Sequence, residues 1–156
     1  MSRIYDSSGN LHRFYLACCR SIWPLFPQES SRRGVELAEQ WLDGDTTTEE
    51  LNKFNYYVEG AAFTIDYNTE PNKIGEWVAL LRSNDSYRQL LHPPEIADQL
   101  EPREILKRAA YFADYAMIYP SLKPAGIPPE KYRPFLSADL LREFVSFKYT
   151  PNQNAR

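Results

Sequence analysis

The sequence predicts an all-α fold: a single-domain bundle of about six helices around a central antiparallel helical hairpin. Three observations predict it. Apolar residues recur three and four apart through most of the chain, which is the spacing of one helix face. Capping residues open these runs, and glycine or proline closes them. The two central runs are joined by a connection so short that the second must reverse direction against the first.

The elements follow in order. Residues 1–9 are expected to be a loose lead-in. A helix is expected over 10–21, with Leu11, Phe14 or Tyr15, Cys18 and Ile22 on its buried side; Pro24 and Pro27 end it and turn the chain. The central hairpin spans 30–66. Ser30 or Ser31 is expected to cap its first helix by accepting from an orphan N–H. Val35, Ala38, Trp41 and Leu42 form that helix's apolar face, and Gly44 suits a left-handed residue just past its end. Thr46, Thr47 and Thr48 are candidate caps for the second helix, with Thr46–Glu49 and Thr47–Glu50 both matching the capping box. Leu51, Phe54, Val58, Ala61 or Ala62, and Ile65 continue as its stripe.

Pro71 marks a break before a short helix carrying Ile74, Trp77, Val78 and Leu81. Asn84-Asp85-Ser86 reads as a turn or new cap, Tyr87, Leu90 and Leu91 as a further helical turn, and Pro93-Pro94 as its stop, opening a short segment over 95–100. The most apolar long helix is expected over 101–119, with Pro102 in its first turn. Ile105, Ala109, Phe112 and Ala116 make one row; Leu106, Ala110, Ala113 and Met117 make the next. A helix apolar around most of its circumference sits deep. Pro120, Pro124, Pro128 and Pro129 predict an irregular loop. Pro134 and Ser137 precede a last helix, in which Leu140, Leu141, Phe144 and Val145 close the core. Residues 144–149 read equally as helix or short strand. The domain is expected to occupy 1–150, with 151–156 a frayed tail.

The 156 residues are 43% hydrophobic and 25% charged, which suits one globular domain and excludes a disordered chain. No apolar run is long enough to span a bilayer, and the first ten residues lack the apolar centre of a signal peptide. The adjacent Cys18 and Cys19 make no disulfide framework, so a reducing cytoplasm is the expected compartment. Without a secretion signal, the glycosylation sequon Asn84-Asp85-Ser86 is accidental. The formal charge of −3 is unevenly spread: residues 1–34 carry five arginines against Asp6 and Glu29, whereas residues 34–76 carry ten acids against Lys53 and Lys73. The simplest expectation is that the basic first helix packs beside the acidic hairpin. The sharper one is an acidic face that attracts a basic partner. Nucleic acid is not expected as a partner, because the chain has no Lys/Arg run or nucleic-acid-reading motif.

Cys18-Cys19-Arg20 with Trp23, then Ser31-Arg32-Arg33, Val35-Glu36, Ala38-Glu39, Asp43-Gly44 and Glu49-Glu50-Leu51 form a pattern over roughly the first third of the chain. It resembles a helical family of bacterial proteins with the signature CCRxxW…SRRxVExAE…DG…EEL. The resemblance implies an all-helical fold and carries over no catalytic residue, cofactor or activity.

His12 and Cys19 are the first chemical candidates, since a Cys–His pair makes a nucleophilic thiolate. They share a helix face, but two turns separate them by about 10 Å, too far for a direct hydrogen bond. Cys18 and Cys19 are expected to be structural. No metal is expected, because beyond His12 only His92 remains as an imidazole ligand. A calcium loop opening at Asp43 fails, since Thr48 and Phe54 stand where Gly and Glu are needed. Arg32 and Arg33 fall in a first helical turn, where positive charge opposes the dipole; Glu36 is the expected local partner. Alternatively, one guanidinium grips a carboxylate elsewhere in the fold, on a partner or on an anionic ligand, with Arg13 and Arg20 joining the patch. Glu36 and Glu39 are expected to be solvated. Asp114 shares a stripe with Arg103 and Lys107 and is expected on the surface or in an ion pair. Tyr111, Tyr115 and Tyr119 form a row, and Tyr56 and Tyr57 flank the hairpin stripe, at core margins or at an interface.

These readings predict a protein that acts by contacting another protein or a second copy of itself, without catalysis, cofactor or metal. Its candidate contact residues are Arg32, Arg33, Arg20, Cys19 and His12. One alternative is an enzyme or small-ligand binder in which His12, Cys19 and the arginines converge. Another is an immunity-type or regulatory protein holding a basic partner on the acidic hairpin.

Overall fold

The computed structural model describes residues 9–123 and 129–144. The expected lead-in over 1–8, the loop around Pro124 and Pro128, Val145, the helix-or-strand choice beyond Phe144 and the tail over 151–156 lie outside the described residues. Within them the chain is an all-α bundle: α1 (Asn10–Ser21), α2 (Glu29–Leu42), α3 (Thr48–Asp66), α4 (Pro71–Arg82), α5 (Pro102–Leu122) and α6 (Ala138–Phe144). Four short 3-10 turns lie at Trp23–Leu25, Asp85–Leu90, Pro94–Asp98 and Glu130–Phe135.

The apolar rows of α5 set the architecture. Ala109, Phe112, Ala113, Ala116 and Met117 have no exposed surface, and α1, α2, α3 and α4 all pack against this helix. Its alanines let neighbouring backbones approach, and Phe112 fills the space left between them. The Phe112 ring lies 5.5 Å from that of Tyr132, 5.6 Å from Phe135 and 6.4 Å from Tyr15. The α2–α3 hairpin lies against the same helix. Gly34 permits its closest approach: a Cβ there would stand 2.4 Å from Val58 Cγ2 and 3.1 Å from Met117 Sδ.

The hairpin turn follows from its residues. Asp45 N–H donates to the Gln40 carbonyl (2.8 Å) and Gly44 N–H to that of Trp41 (3.1 Å), with Gly44 at φ +81°. This six-to-one and five-to-two pair closes α2 and needs a residue tolerant of positive φ. Thr47 then caps α3, its hydroxyl oxygen accepting from Glu50 N–H at 3.1 Å, and Trp41 Nε1 donates to Thr48 across the turn. The end of α3 repeats the device with Asn68 at φ +55° and Thr69 N–H on the Thr64 carbonyl. Arginines from other helices support both ends: Arg13 donates to the Leu42 carbonyl and Arg103 to that of Ile65. Positive charge there complements the helix dipole.

Two expectations need correction. Neither Ser30 nor Ser31 caps α2, which starts at Glu29 after Gln28. The Arg32 guanidinium holds the preceding Phe26 carbonyl at 2.7 Å, fixing the chain one step earlier, while Ser31 is turned into the core. α5 does not stop at Tyr119 but carries Pro120 inside it to Leu122. The extra turn is tied to α1, with His12 Nδ1 and Ser121 Oγ 2.9 Å apart. The 3-10 turn over Glu130–Phe135 was not legible in the sequence, yet it buries Tyr132, Pro134 and Phe135.

Candidate functional site

The residues singled out from the sequence do not converge. His12 and Cys19 are fully buried on α1. His12 packs toward Trp41, ring to ring at 5.9 Å, as well as meeting Ser121. Burial pushes the Cys18 thiol up to about 11 and the Cys19 thiol well above its ordinary value, so both stay protonated at neutral pH. Arg20 forks onto Glu39, with bonds of 2.9 and 2.7 Å, and lies 4.3 Å over the Trp23 ring. Arg33 takes Glu36 as its partner at 3.7 Å. Arg32 does not: it holds the Phe26 carbonyl and lies 5.7 Å from the centroid of the same Trp23 ring. Arg13 pairs with Asp43 at 2.9 Å and lines the same hollow as Arg20. The pairs Arg13–Asp43 and Arg20–Glu39 realise the simpler charge expectation in part: α1 offsets acids of α2 and the turn after it but, among the described residues, none on α3.

Asp114 also departs from expectation. Arg103 is occupied at the end of α3, and Lys107 pairs with Glu104 at 3.1 Å and Asp66 at 3.9 Å. Asp114 instead accepts from Asn55 Nδ2 at 2.7 Å, half-buried between α3 and α5. Burial raises its pKa to about 6; the Asn55 amide opposes the rise and the negative charge of Glu59 adds to it. A folded pKa above the unfolded one means that the folded chain holds the extra proton in the window between them. Stability is therefore expected to fall as pH rises from about 4 to about 6, by at most about 3 kcal/mol, and to be flat above that as far as this group is concerned. Asp114→Asn should remove that slope, read as urea midpoints compared at about pH 4.5 and about pH 7. An unchanged slope would show that Asp114 does not cause it.

The least expected surface is the outer face of α3. Tyr56 is 74% exposed, Phe63 39% and Tyr67 69%. Their spacing of seven and four places them in one row. Phe63 stacks obliquely with Tyr67 at 5.7 Å and meets the Tyr111 ring at 6.2 Å. Tyr57, 5.4 Å from Tyr56, carries the aromatic surface round toward α4. On the same helix Glu49, Glu50 and Glu59 are exposed and have no ion-pair partner among the described residues; Lys53 is the one cation on α3. The row is a sequence signal that a search for the buried stripe passes over, because its members lie opposite Leu51, Val58 and Ile65.

Two clefts flank Trp77 of α4. One, of about 800 Å³, opens between α2, α3 and α4 and is lined by Phe54, Tyr57, Trp77, Arg33 and Lys73. The other, of about 410 Å³, lies between α4 and the Asp85–Leu90 turn, with Arg32 on its wall. Arg20 lines a third hollow, against α6. The three arginines thus serve three different places. Among the described residues, no three His, Cys, Asp or Glu side chains cluster as a metal site would need, and no helix is long and apolar enough to cross a membrane. Comparison with protein-family models, curated proteins and solved structures finds no match for this chain.

Proposed function

We propose that this chain is a cytoplasmic bacterial protein that works by contacting another protein, without catalysis, and that the contact is made by the outer face of α3. The exposed row of Tyr56, Phe63 and Tyr67 carries this reading. Aromatic side chains are the commonest anchors of protein interfaces, since they present large area with few rotamers to freeze. The unpaired Glu49, Glu50 and Glu59 beside the row select a basic partner surface. Two-fold pairing of two copies through α3 would bring these like charges together, which weakens the case for self-association. The buried, protonated thiols of Cys18 and Cys19 and the dispersal of Arg20, Arg32 and Arg33 weigh against a convergent catalytic site.

The test uses two amphipathic helical peptides, one with an arginine-rich face and one with a glutamate-rich face, titrated into the labelled chain. The basic peptide should bind, and its affinity should fall steeply as salt rises from about 0.05 to about 0.5 M. The triple variant Tyr56→Ser/Phe63→Ser/Tyr67→Ser should weaken it by about a hundredfold, the scale of a lost anchor cluster. Equal binding by the variant, or preference for the acidic peptide, would sink the proposal. Light scattering that shows a dimer abolished by the same variant would put a second copy in the partner's place.

A further inference from the structure

We infer that the cavity between α4 and the Asp85–Leu90 turn is a binding site for a small amphipathic carboxylate, a molecule with one anionic head and an aliphatic or aromatic body. This site is separate from the outer face of α3 and does not rest on the function proposed for that face.

Ten arginines lie among the described residues, and eight of them form ion pairs with carboxylates. Arg103 sits on the carbonyl end of α3, where the helix dipole favours it. Arg32 is the exception. Its Nε donates to the Phe26 carbonyl at 2.7 Å, and no carboxylate lies within ion-pair distance of it among the described residues. It is half-buried, in the first turn of α2, where a positive charge opposes the dipole. The fold therefore holds a guanidinium in place, beside the Trp23 ring and without a carboxylate, and its N–H groups beyond Nε are left for an incoming carboxylate.

The cavity supplies the rest of the recognition. Its volume is about 410 Å³, and Arg32 is the one charged residue on its wall among the described residues. Apolar surface from Trp77, Leu81, Tyr87, Leu90 and Leu106 makes up most of the remaining wall, to which Ser83, Asn84 and Ser86 add neutral polar groups. Leu80 lines it too and is 73% exposed, so an apolar side chain stands at the rim. A mostly apolar cleft with a few fixed polar groups is the usual form of a small-molecule site, the apolar wall giving affinity and the polar groups orientation. One positive charge in such a wall selects one negative charge, attached to a greasy body.

The test is calorimetric titration of the full chain with decanoate, decanol and decyltrimethylammonium, three probes that share a chain and differ in head charge. Decanoate should bind saturably, at least about tenfold tighter than decanol, and the cation should not bind; tenfold is the scale of one charge-assisted hydrogen-bonded contact. The Trp77 indole resonance should shift with decanoate. Arg32→Gln should bring decanoate down to the affinity of decanol and leave decanol unchanged. Should Arg32→Gln lose its helical circular dichroism, Leu80→Glu takes over: this exposed residue tolerates the change, and its carboxylate at the rim should repel decanoate alone. Decanol binding as tightly as decanoate, no saturable binding, or decanoate binding that survives a folded Arg32→Gln or Leu80→Glu would each overturn the inference.

Discussion

Phe112→Ala is expected to lower the unfolding free energy by about 3–5 kcal/mol, the range for truncating a large aromatic side chain in a closed core. The ring is fully buried on α5 and meets Tyr15 of α1 and Tyr132 and Phe135 of the Glu130–Phe135 turn. Removing it both forfeits the transfer of the ring from water and leaves a hole bounded by three aromatic neighbours. Those neighbours belong to elements that are otherwise distant in the chain, so they have little freedom to collapse together. The loss should appear as a shift of the urea midpoint with little change in slope. A loss under about 1 kcal/mol would mean that Tyr132 or Phe135 refills the space and that the packing described around Phe112 is not the one that holds the bundle.

Gly34→Ala should also destabilise, by about 1–3 kcal/mol, although alanine is the better helix former. At an open helical site the same change gains roughly 0.5–1 kcal/mol. Here the added methyl meets Val58 Cγ2 at 2.4 Å, and a β-branched side chain inside α3 has one favoured rotamer and nowhere to swing. The second neighbour, Met117 Sδ at 3.1 Å, is flexible and yields more cheaply. Two companions make the measurement decisive. Gly60→Ala, on α3 with nothing within 4 Å of the new Cβ, should stabilise. Val58→Ala should be less harmful in the Gly34→Ala background than alone, because it removes the clashing methyl. A coupling near zero in that cycle would rule out close approach of α2 to α3 at this position.

Much of the fold was legible because its signals are local. The span of α1, the close of α2 at Gly44, a threonine cap on α3 among Thr46, Thr47 and Thr48, the break at Pro71 and the two buried rows of α5 all follow from residues within a few positions of one another. Where the structure departs from local signals, a distant contact is the reason. α2 starts before its serines because Arg32 reaches back to Phe26, and α5 outlasts Pro120 because its last turn is tied to His12. The Glu130–Phe135 turn was missed because proline-rich sequence carries no periodicity, yet Tyr132 and Phe135 close the core around Phe112.

The candidate sites were less legible, for a related reason. The sequence marks which side chains have useful chemistry, and Arg20, Arg32, Arg33, His12 and Cys19 all do. It does not say which of them is already satisfied. Arg20 and Arg33 find Glu39 and Glu36, and Arg32 finds a carbonyl and a cavity wall. His12 and Cys19 vanish into the core.

By itself, then, the sequence determined that the chain forms helices, where most of them begin and end, and which face of each turns inward. Those are consequences of hydrogen bonding and side-chain spacing within one or two turns of backbone. Only the tertiary structure decided which charge meets which, that the row of Tyr56, Phe63 and Tyr67 stays outside, and that Arg32 borders an apolar hollow. Such outcomes depend on how helices distant in the chain are brought together, and shape matching between their surfaces is not written in any local stretch of residues.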